Sequence, residues 1–387
     1  MKTTPNIARS IHLKDALLQK SCFLFGPRQT GKSWLIRETL KGYRTYNLLD
    51  SETYLKLNRS PSRLREECSP DDRIVIVDEI QKLPTLLDEI HLLIEERGIH
   101  FLLTGSSARK LRRGGVNLLG GRARTKYLHP FVMAELKEHF DLQRALNNGL
   151  LPSIYFSEQP GEDLKSYVGT YLKEEIAAEG LTRNVPAFSR FLEIAALCSG
   201  DMVNFTKISN DAQVARSTVQ EYFQILKDTL LAYEVPAWRK SKKRKAIGTS
   251  KFYLFDTGVT RFLQNRDCVK ERSPEFGELF EAYMFHELKT YADYHGLDEI
   301  YYWRSVSGYE VDFILGWELA IEVKATKTVG KDDLKGLRAL KEEGSFKKYV
   351  LVCLEKETRH IEGIEVIFWK DFLKKLWNNE LASPRHE

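Results

Sequence analysis

The stretch Gly26-Pro27-Arg28-Gln29-Thr30-Gly31-Lys32-Ser33 lies between a short apolar run, Ser21 to Phe25, and a helix-forming segment, Trp34 to Leu40. The apolar run predicts a strand, and the segment after the glycine-rich stretch predicts a helix. A loop with the spacing GxxxxGK[ST] between a strand and a helix is typical of phosphate binding. This order of elements therefore predicts an α/β domain built around the loop.

The residue types in this loop suit the phosphates of ATP. Its two glycines let the backbone curl, so that amide N–H groups point at bound phosphates. The following helix adds the positive end of its dipole. Lys32 is expected to reach the outer phosphates, and Ser33 offers a hydroxyl to Mg²⁺. We therefore predict ATP and Mg²⁺ as ligands, with a contact set that comprises Gly26, Pro27, Arg28, Gln29, Thr30, Gly31, Lys32 and Ser33.

A second apolar run, Arg73 to Val77, leads into the carboxylates of Asp78 and Glu79. Its continuous apolar character favours a central parallel strand that is covered on both faces. Asp78 is a candidate Mg²⁺ ligand, directly or through water, and Glu79 is a candidate for polarising the water that attacks the γ-phosphate. Alone, the pair would also suit a strand end that caps a helix. The phosphate loop upstream favours the catalytic interpretation.

A third apolar run, Ile99 to Leu103, ends in Thr104-Gly105-Ser106-Ser107. With these motifs, residues 20–130 resemble the nucleotide-binding core of AAA+ ATPases. More narrowly, they are similar to a prokaryotic family with a GPRQ(T/V)GK(S/T) loop, a VDEIQ strand end and a TGSS sensor. The VDEIQ motif corresponds to Val77 to Gln81. The resemblance implies that Ser106 or Thr104 helps to place the attacking water, and a plain polar turn is the alternative.

Arg122 follows two glycines in a basic part of the chain. A guanidinium near the γ-phosphate stabilises charge in phosphoryl transfer, so Arg122 is a candidate arginine finger. It would act within one subunit or on the neighbouring subunit of a homo-oligomer. A helix-capping or surface arginine is the alternative.

The middle of the chain is predicted to be helical up to residue 186, and its pattern changes from residue 187. Residues 131–186 are rich in Glu, Lys and Leu, and the AAA+ resemblance implies a helical lid there. Further on, Ser217 is a natural N-cap for a helix whose apolar residues recur at i, i+3, i+4 and i+7. These apolar residues are Val219, Tyr222, Phe223 and Leu226. Two predicted strands, Leu230 to Trp238 and Lys251 to Phe255, follow, and residues 187–262 thus resemble a winged helix.

Two stretches, Arg109 to Lys126 and Arg239 to Lys251, hold seven basic residues each and no acidic ones. The second stretch would form the wing, whose cations bind phosphates without reading sequence. Gln213, Arg216 and Gln220 would face outward from the recognition helix. We therefore expect DNA as a partner. Because such runs are usually solvated, a packing module between domains is the alternative.

The C-terminal part contains a predicted helix, Gly277 to Leu288, and a predicted strand, Tyr301 to Arg304. A predicted hairpin follows, from Tyr309 to Leu315 and back from Leu319 to Lys324. Period-two geometry places Glu322 and Lys324 on one face, with Asp312 on the neighbouring strand. Asp followed by Glu-x-Lys resembles the PD-(D/E)xK nucleases, and residues 263–387 are therefore expected to have their α/β, restriction-endonuclease-like fold.

This resemblance implies roles for individual residues. Asp312 and Glu322 would hold Mg²⁺, which acidifies the attacking water. Lys324 would orient that water or steady the transition-state charge. Glu281 on the preceding helix is expected to join the metal site, with Glu278 one turn away as the alternative. Whether the site cleaves is a separate question, because the resemblance implies no established substrate. Standing alone, a Glu-Val-Lys tripeptide would also be typical of ordinary surface.

Length and composition fit a multidomain protein of 387 residues. The five cysteines form no CxxC pair, which favours a reducing cytoplasm over a disulfide scaffold. No apolar run reaches the roughly 18 residues that a membrane span needs, so we expect a cytoplasmic protein without a membrane partner. The expected organisation is an ATPase core (1–130), a helical lid (131–186), a winged helix (187–262) and a nuclease-like domain (263–387).

These features favour an ATPase coupled to a nuclease-like domain directed at nucleic acid. A second hypothesis is a nucleotide-switched regulatory ATPase whose nuclease-like domain grips DNA or protein without cleaving. A third is an ATP-dependent protein-remodelling factor whose basic stretches are merely solvated.

Overall fold

The computed structural model describes residues 5–106, 111, 119–172, 184–240, 243–297, 299–344 and 346–382. The chain divides into two compact units. One comprises Arg9–Pro130 with Asp228–Leu231, and the other comprises Met1–Ala8, Phe131–Lys227 and Ala232–Glu387. The domain boundaries expected within the second unit stay predictions.

The N-terminal unit is built on a sheet of five parallel strands. The strands are β1 (Ser21–Phe25), β2 (Arg44–Asn47), β3 (Ile74–Asp78), β4 (His100–Gly105) and β5 (Ala123–Tyr127). Their order across the sheet is β2, β3, β4, β1, β5. Since all strands run the same way, the residues that follow β1, β3 and β4 lie at one edge, which is where ligands bind in such sheets.

Burial explains the apolar runs of this unit. Every residue of β1 and β3 is buried, as expected for parallel strands covered on both faces. The helices of the unit are α1 (Leu13–Gln19), α2 (Lys32–Thr39), α3 (Ser51–Arg59), α4 (Arg63–Glu67) and α5 (Leu86–Arg97). Helix α5 begins at Leu86, directly after its N-cap residue Thr85. Strand β5 pairs along the whole of β1, from Ala123 opposite Ser21 to Tyr127 opposite Phe25.

The second unit begins with helices, as the composition of residues 131–186 predicts. They are α6 (Met133–Leu136), α7 (Leu142–Asn148), α8 (Pro152–Tyr155) and α9 (Pro160–Ser166), followed by a π-helical turn (Tyr167–Leu172). Residues 173–183 of the expected lid lie outside the described residues. Short 3₁₀ turns across the chain are Ile80–Lys82, Leu119–Gly121, Lys137–His139 and Asp332–Leu334.

Three helices and a hairpin form the winged helix. They are α10 (Val185–Leu197), α11 (Phe205–Ala212), α12 (Arg216–Asp228), β6 (Ala232–Val235) and β7 (Lys251–Leu254), and β6 pairs antiparallel with β7. The four apolar residues predicted on the inner face of α12 are buried, which confirms the period. The predicted N-cap, Ser217, is wrong, because α12 begins at Arg216 and Ser217 is its second residue.

The C-terminal part is a mixed sheet of six strands flanked by helices. The strands are β8 (Ile300–Arg304), β9 (Glu310–Leu315), β10 (Leu319–Lys324), β11 (Lys348–Cys353), β12 (Arg359–Ile361) and β13 (Ile364–Phe368). Their order is β12, β13, β11, β10, β9, β8. The expected hairpin is confirmed, since β9 and β10 are antiparallel. The helices are α13 (Thr257–Leu263), α14 (Pro274–His295), α15 (Lys335–Lys341) and α16 (Trp369–Trp377).

The basic loop between β6 and β7 lies along the free edge of β8. Trp238 N–H donates to Tyr302 O at 2.7 Å, and Ile247 N–H donates to Arg304 O at 2.8 Å. An exposed sheet edge invites pairing with other chains, and this loop covers it. The predicted wing is therefore packed on the C-terminal sheet over much of its length. Ser241 and Lys242 lie outside the described residues.

No helix in the described part of the chain combines the length and the apolar character that crossing a bilayer requires.

Helix α13 approaches α7 closely, and we expect a glycine to be required there. A Cβ atom at Gly258 would lie 2.3 Å from the backbone carbonyl group of Asn148. Gly258→Ala should therefore lower the free energy of unfolding by about 1–3 kcal/mol, measured by urea denaturation. The matched control is Gly161→Ala, since a Cβ atom there meets nothing within 4 Å. Equal midpoints for the two variants would contradict this packing.

Candidate functional site

The phosphate loop has the backbone that its glycines predict. It connects β1 to α2, and Gly31 and Gln29 have positive φ angles of 93° and 62°. A Cβ atom at Gly26 would lie 2.3 Å from Leu128 O, so the chain has room only for a hydrogen at this position. Gly26 and Gly31 therefore fit the tight loop for two different reasons, close approach and left-handed backbone.

Lys32 is folded back onto the loop. Its Nζ donates to Gly26 O at 2.7 Å and to Pro27 O at 3.1 Å. Thr30 Oγ1 also donates to Pro27 O, at 2.8 Å. The Lys32 side chain is buried, whereas Arg28 and Gln29 are exposed. The ammonium group of Lys32 is thus held at the loop that is predicted to receive the phosphates.

Arg9, which sequence analysis did not single out, forms hydrogen bonds to the same loop and to a neighbouring segment. Its guanidinium donates to Thr30 O at 2.7 Å and to His129 O at 2.6 Å. These two bonds tie the loop to the end of β5, and they give Arg9 a positioning role.

Ser33 and Asp78 meet at the edge of the sheet. Ser33 Oγ donates to Asp78 Oδ2 at 3.2 Å, although the two residues belong to different elements. Hydroxyl and carboxylate oxygens are the hard ligands that Mg²⁺ prefers. The two predicted metal ligands are therefore adjacent, and their donor set fits this ion.

Glu79 is held by a small polar network. Its backbone has a positive φ of 62°, an uncommon conformation for a glutamate, and its N–H donates to Thr104 Oγ1 at 3.2 Å. The Thr104 hydroxyl donates to Asp78 Oδ1. Gln81 Nε2 donates to Glu79 Oε2 at 2.5 Å and reaches Ser106 Oγ at 3.5 Å. Thr104 thus contacts the predicted metal ligand, while Ser106 contacts Glu79 only through Gln81.

Arg122 pairs with Glu95 of α5, and both side chains are partly exposed. Its role as an arginine finger stays a prediction. Ser107 of the sensor motif and the basic residues Arg109, Lys110, Arg112 and Arg113 lie outside the described residues.

The C-terminal sheet brings the predicted nuclease-like residues together. Asp312 on β9 and Glu322 on β10 are both buried. Asp312 Oδ2 accepts the N–H of Val323 at 2.8 Å, where the β9–β10 ladder ends. Lys324 Nζ lies 2.6 Å from Glu322 Oε1. Glu322 Oε2 is buried and has no hydrogen-bond partner. Buried polar atoms normally have a partner, and a cation would satisfy this carboxylate oxygen.

Two residues of β7 reach the same cluster. Lys251 Nζ lies 2.6 Å from Glu310 Oε1 and 3.6 Å from Glu281 Oε1. The Tyr253 hydroxyl donates to Glu281 Oε1 at 2.6 Å. Glu278, the alternative to Glu281, pairs with Arg266 instead. Glu281 is therefore the glutamate of α14 that joins the cluster.

The carboxylates affect one another. Burial and the charge of Asp312 raise the pKa of Glu281 to about 7, against the effects of Lys251 and Tyr253. Burial, Asp312 and Glu281 raise the pKa of Glu322 well above its usual range, against the effect of Lys324. Burial favours the neutral amine of Lys251, but the charges of Glu281, Asp312 and Glu310 outweigh it and raise the lysine pKa.

These carboxylates are not arranged as a ready metal site. Among the described residues, no three His, Cys, Asp or Glu side chains form a group that would hold a metal ion. The ammonium groups of Lys251 and Lys324 lie against the carboxylates instead. The roles of Glu281, Asp312 and Glu322 as metal ligands stay predictions.

Besides Arg9 and Tyr253, sequence reasoning missed three residues of these sites. Glu310 precedes Asp312 by two positions, so strand alternation would have placed both on one face. Gln81 belongs to the motif after β3, yet nothing in its spacing indicated a contact with Glu79. Lys251 gave no signal, because its contact with Glu281 depends on how the hairpin packs against α14.

Three families of known domains match the chain in succession. Residues 18–137 match the family described as AAA domain, residues 139–268 match a domain of unknown function (DUF8612), and residues 276–372 match a domain of unknown function (DUF4143). The parallel sheet, the loop geometry and the first match agree on an ATP-binding domain of the AAA type.

Two mycobacterial proteins are similar over most of their length. They are the uncharacterized proteins Rv2008c of Mycobacterium tuberculosis and Mb2031c of Mycobacterium bovis. Each is 24% identical over 333 residues, which cover 83% of this chain and 73% of the relative.

Solved structures give weaker matches. The replication initiator DnaA bound to AMPPCP and single-stranded DNA has a TM-score of 0.30 at 14% identity, over 57% of this chain and 90% of that chain. The STAND protein PH0952 from Pyrococcus horikoshii has a TM-score of 0.22 at 14% identity, over 76% of this chain and 48% of that chain. Scores this low establish neither a shared overall fold nor a function.

The hydrogen bond from Gln81 to Glu79 leads to a test. Gln81→Ala should leave nucleotide affinity unchanged and lower the turnover number for ATP about 10-fold, because Glu79 loses the group that orients it. Steady-state kinetics separates the two effects. Lys82→Ala is the matched control, since its side chain is exposed. Equal turnover in both variants would show that Gln81 does not position Glu79.

Proposed function

We propose that this protein hydrolyses ATP in its N-terminal domain and couples hydrolysis to a nuclease-like C-terminal domain directed at nucleic acid. One observation carries the first part. The phosphate-loop hydroxyl of Ser33 contacts the carboxylate of Asp78, next to a Glu79 held by Thr104 and Gln81. Binding residues and a candidate base thus meet at one edge of a parallel sheet.

The chain's own residues can perform each part of phosphoryl transfer to water. Loop amides and Lys32 bind the phosphates, and this requires Lys32 to exchange the carbonyls of Gly26 and Pro27 for phosphate oxygens. Ser33 and Asp78 would hold Mg²⁺, which neutralises charge that develops on the phosphates. Glu79 accepts the proton of the attacking water. Gln81 and Thr104 fix its side chain and backbone.

The proposal for the C-terminal domain rests on the carboxylates between β9, β10 and α14. Asp312, Glu322 and Glu281 interact electrostatically, and the unpartnered Oε2 of Glu322 supports a cation there. Lys324 is held beside Glu322, where it would orient water or stabilise charge on a phosphate. This donor set fits Mg²⁺, which is bound by oxygen ligands.

A second candidate function is a nucleotide-switched protein whose C-terminal domain binds nucleic acid without cleaving it. The position of Lys251 favours it, because its ammonium group already balances Glu281 and Glu310. A carboxylate cluster neutralised in this way is stable without a metal ion.

For contact with DNA, the exposed face of α12 is better placed than the basic loop. Arg216 and Gln220 are exposed on α12, as predicted. Gln213 is also exposed, but its predicted place on this helix is wrong, because it is the C-cap residue of α11. In the loop, Arg244 instead donates to Glu342 Oε2 at 2.6 Å and to Ala339 O at 3.0 Å. Lys240 Nζ lies 3.8 Å from the ring centre of Trp317. Much of the predicted wing charge is thus engaged within the domain.

Two activities measured on the wild type and three variants test the main proposal. Lys32→Ala should lower ATP hydrolysis about 100-fold or more, since one preorganised charge at the phosphates is lost. Glu322→Gln should abolish magnesium-dependent DNA cleavage and leave ATP hydrolysis intact. Lys41→Ala, whose side chain is 70% exposed, is the control for the first variant.

Cleavage that persists equally in Glu322→Gln would refute the nuclease part. Absence of cleavage by every protein, with DNA affinity that depends on the bound nucleotide, would support the second candidate.

The DNA surface has its own test. Arg216→Ala should weaken DNA binding and reduce the slope of log affinity against log salt by about 1, because one phosphate contact is lost. Arg244→Ala should leave that slope unchanged, since its guanidinium is bound to Glu342. Fluorescence anisotropy over a salt series measures both. A change in slope for Arg244→Ala alone would place DNA on the loop rather than on α12.

A further inference from the structure

Lys251 stands apart from the other basic residues of its loop. It is the first residue of β7, its side chain is 5% exposed, and its ammonium group lies between carboxylates of two other elements. These are Glu310 of β9 and Glu281 of α14, at 2.6 Å and 3.6 Å. A lysine is seldom buried to this degree unless it is paired.

The position of this charge matters because Glu281 is one of the proposed metal ligands. Its Oε1 accepts the hydroxyl hydrogen of Tyr253 and also faces Lys251 Nζ. A divalent cation at Glu281 would lie close to this ammonium group, and like charges at such a distance repel strongly. The ammonium group of Lys251 and a metal ion therefore compete for the place beside Glu281.

The backbone of Lys251 belongs to the winged helix. It pairs with Val235 in the β6–β7 hairpin and forms a bridge with Met202 on its other side. A displacement of this hairpin relative to α14 would move the ammonium group with it, since the strand is fixed on both sides. The side chain that fills the cluster is thus carried by a different module from the one that holds the carboxylates.

We propose that Lys251 is an internal cation that occupies the acidic cluster of the C-terminal domain and excludes a divalent metal ion from Glu281 until the hairpin moves. The proposal rests on the metal site of the proposed nuclease-like function. It adds an autoinhibitory contact, with the winged helix controlling access of the metal ion.

Binding of Mn²⁺ to the full-length protein without nucleotide tests this directly, by electron paramagnetic resonance titration. Lys251→Met should bind Mn²⁺ on the order of 10-fold more tightly than the wild type, because a competing charge is removed. Lys251→Arg keeps the charge and should bind no more tightly than the wild type. Adding Glu281→Gln to Lys251→Met should abolish the gain, which assigns the binding to this cluster.

Removal of the buried lysine also takes away one of the two cationic partners of Glu310, the other being Arg304, so a charge-balanced pair is compared as well. Lys251→Met with Glu310→Gln removes both partners of the ion pair. It should bind Mn²⁺ more tightly than Glu310→Gln alone. Equal Mn²⁺ affinity within this folded pair would overturn the proposal and leave Lys251 a structural residue.

Metal binding and DNA cleavage are measured in separate assays, so that failure of one proposal can be told from failure of the other. If Lys251→Met binds Mn²⁺ more tightly and no protein cleaves DNA, the internal cation is supported. Only the proposed nuclease activity is then refuted. Cleavage by the wild type with unchanged Mn²⁺ affinity in Lys251→Met supports the nuclease activity and overturns the internal cation.

Discussion

Parallel strands that end at the same edge of a sheet impose the geometry of the N-terminal site. The phosphate loop follows β1, Asp78 and Glu79 lie at the end of β3, and Thr104 lies on β4 between them. Without the parallel order, the hydroxyl of Ser33 and the carboxylate of Asp78 would not meet at 3.2 Å. The hydrogen bonds of Thr104 and Gln81 then fix Glu79 beside that contact. The sheet provides a rigid frame, and the residues at its edge provide the chemistry.

The C-terminal site depends instead on the balance between buried carboxylates and the lysines beside them. Acidic side chains of β9, β10 and α14 lie close together, and burial with the charge of Asp312 raises the pKa values of Glu281 and Glu322. Lys324 and Lys251 supply the compensating charges, the first from the same sheet and the second from the winged helix. Buried carboxylates require such partners or a metal ion. The identity of the cation at Glu281 thus links the position of the hairpin to what the cluster can do.

Local sequence patterns were sufficient to predict much of the fold and of the two sites. The spacing from Gly26 to Ser33 and the strand before Asp78 predicted the α/β core, and alternation around Asp312 and Glu322 predicted the hairpin of β9 and β10. Contacts between distant segments were not accessible, because periodicity reports which face a residue occupies and not what packs against it. The basic loop shows this limit. Its charge predicted a solvent-facing wing, whereas its backbone pairs with β8 and Arg244 binds Glu342.

The central claim is that the edge of the parallel sheet is an ATP-hydrolysing site with Glu79 as the base. Single-turnover release of γ-phosphate from ATP, measured beside the affinity for ATP, tests it most directly. Glu79→Gln keeps the shape of the side chain and removes the basic carboxylate. The account predicts unchanged ATP affinity and phosphate release slowed by about 10²- to 10⁴-fold. Release at the wild-type rate by Glu79→Gln would contradict it.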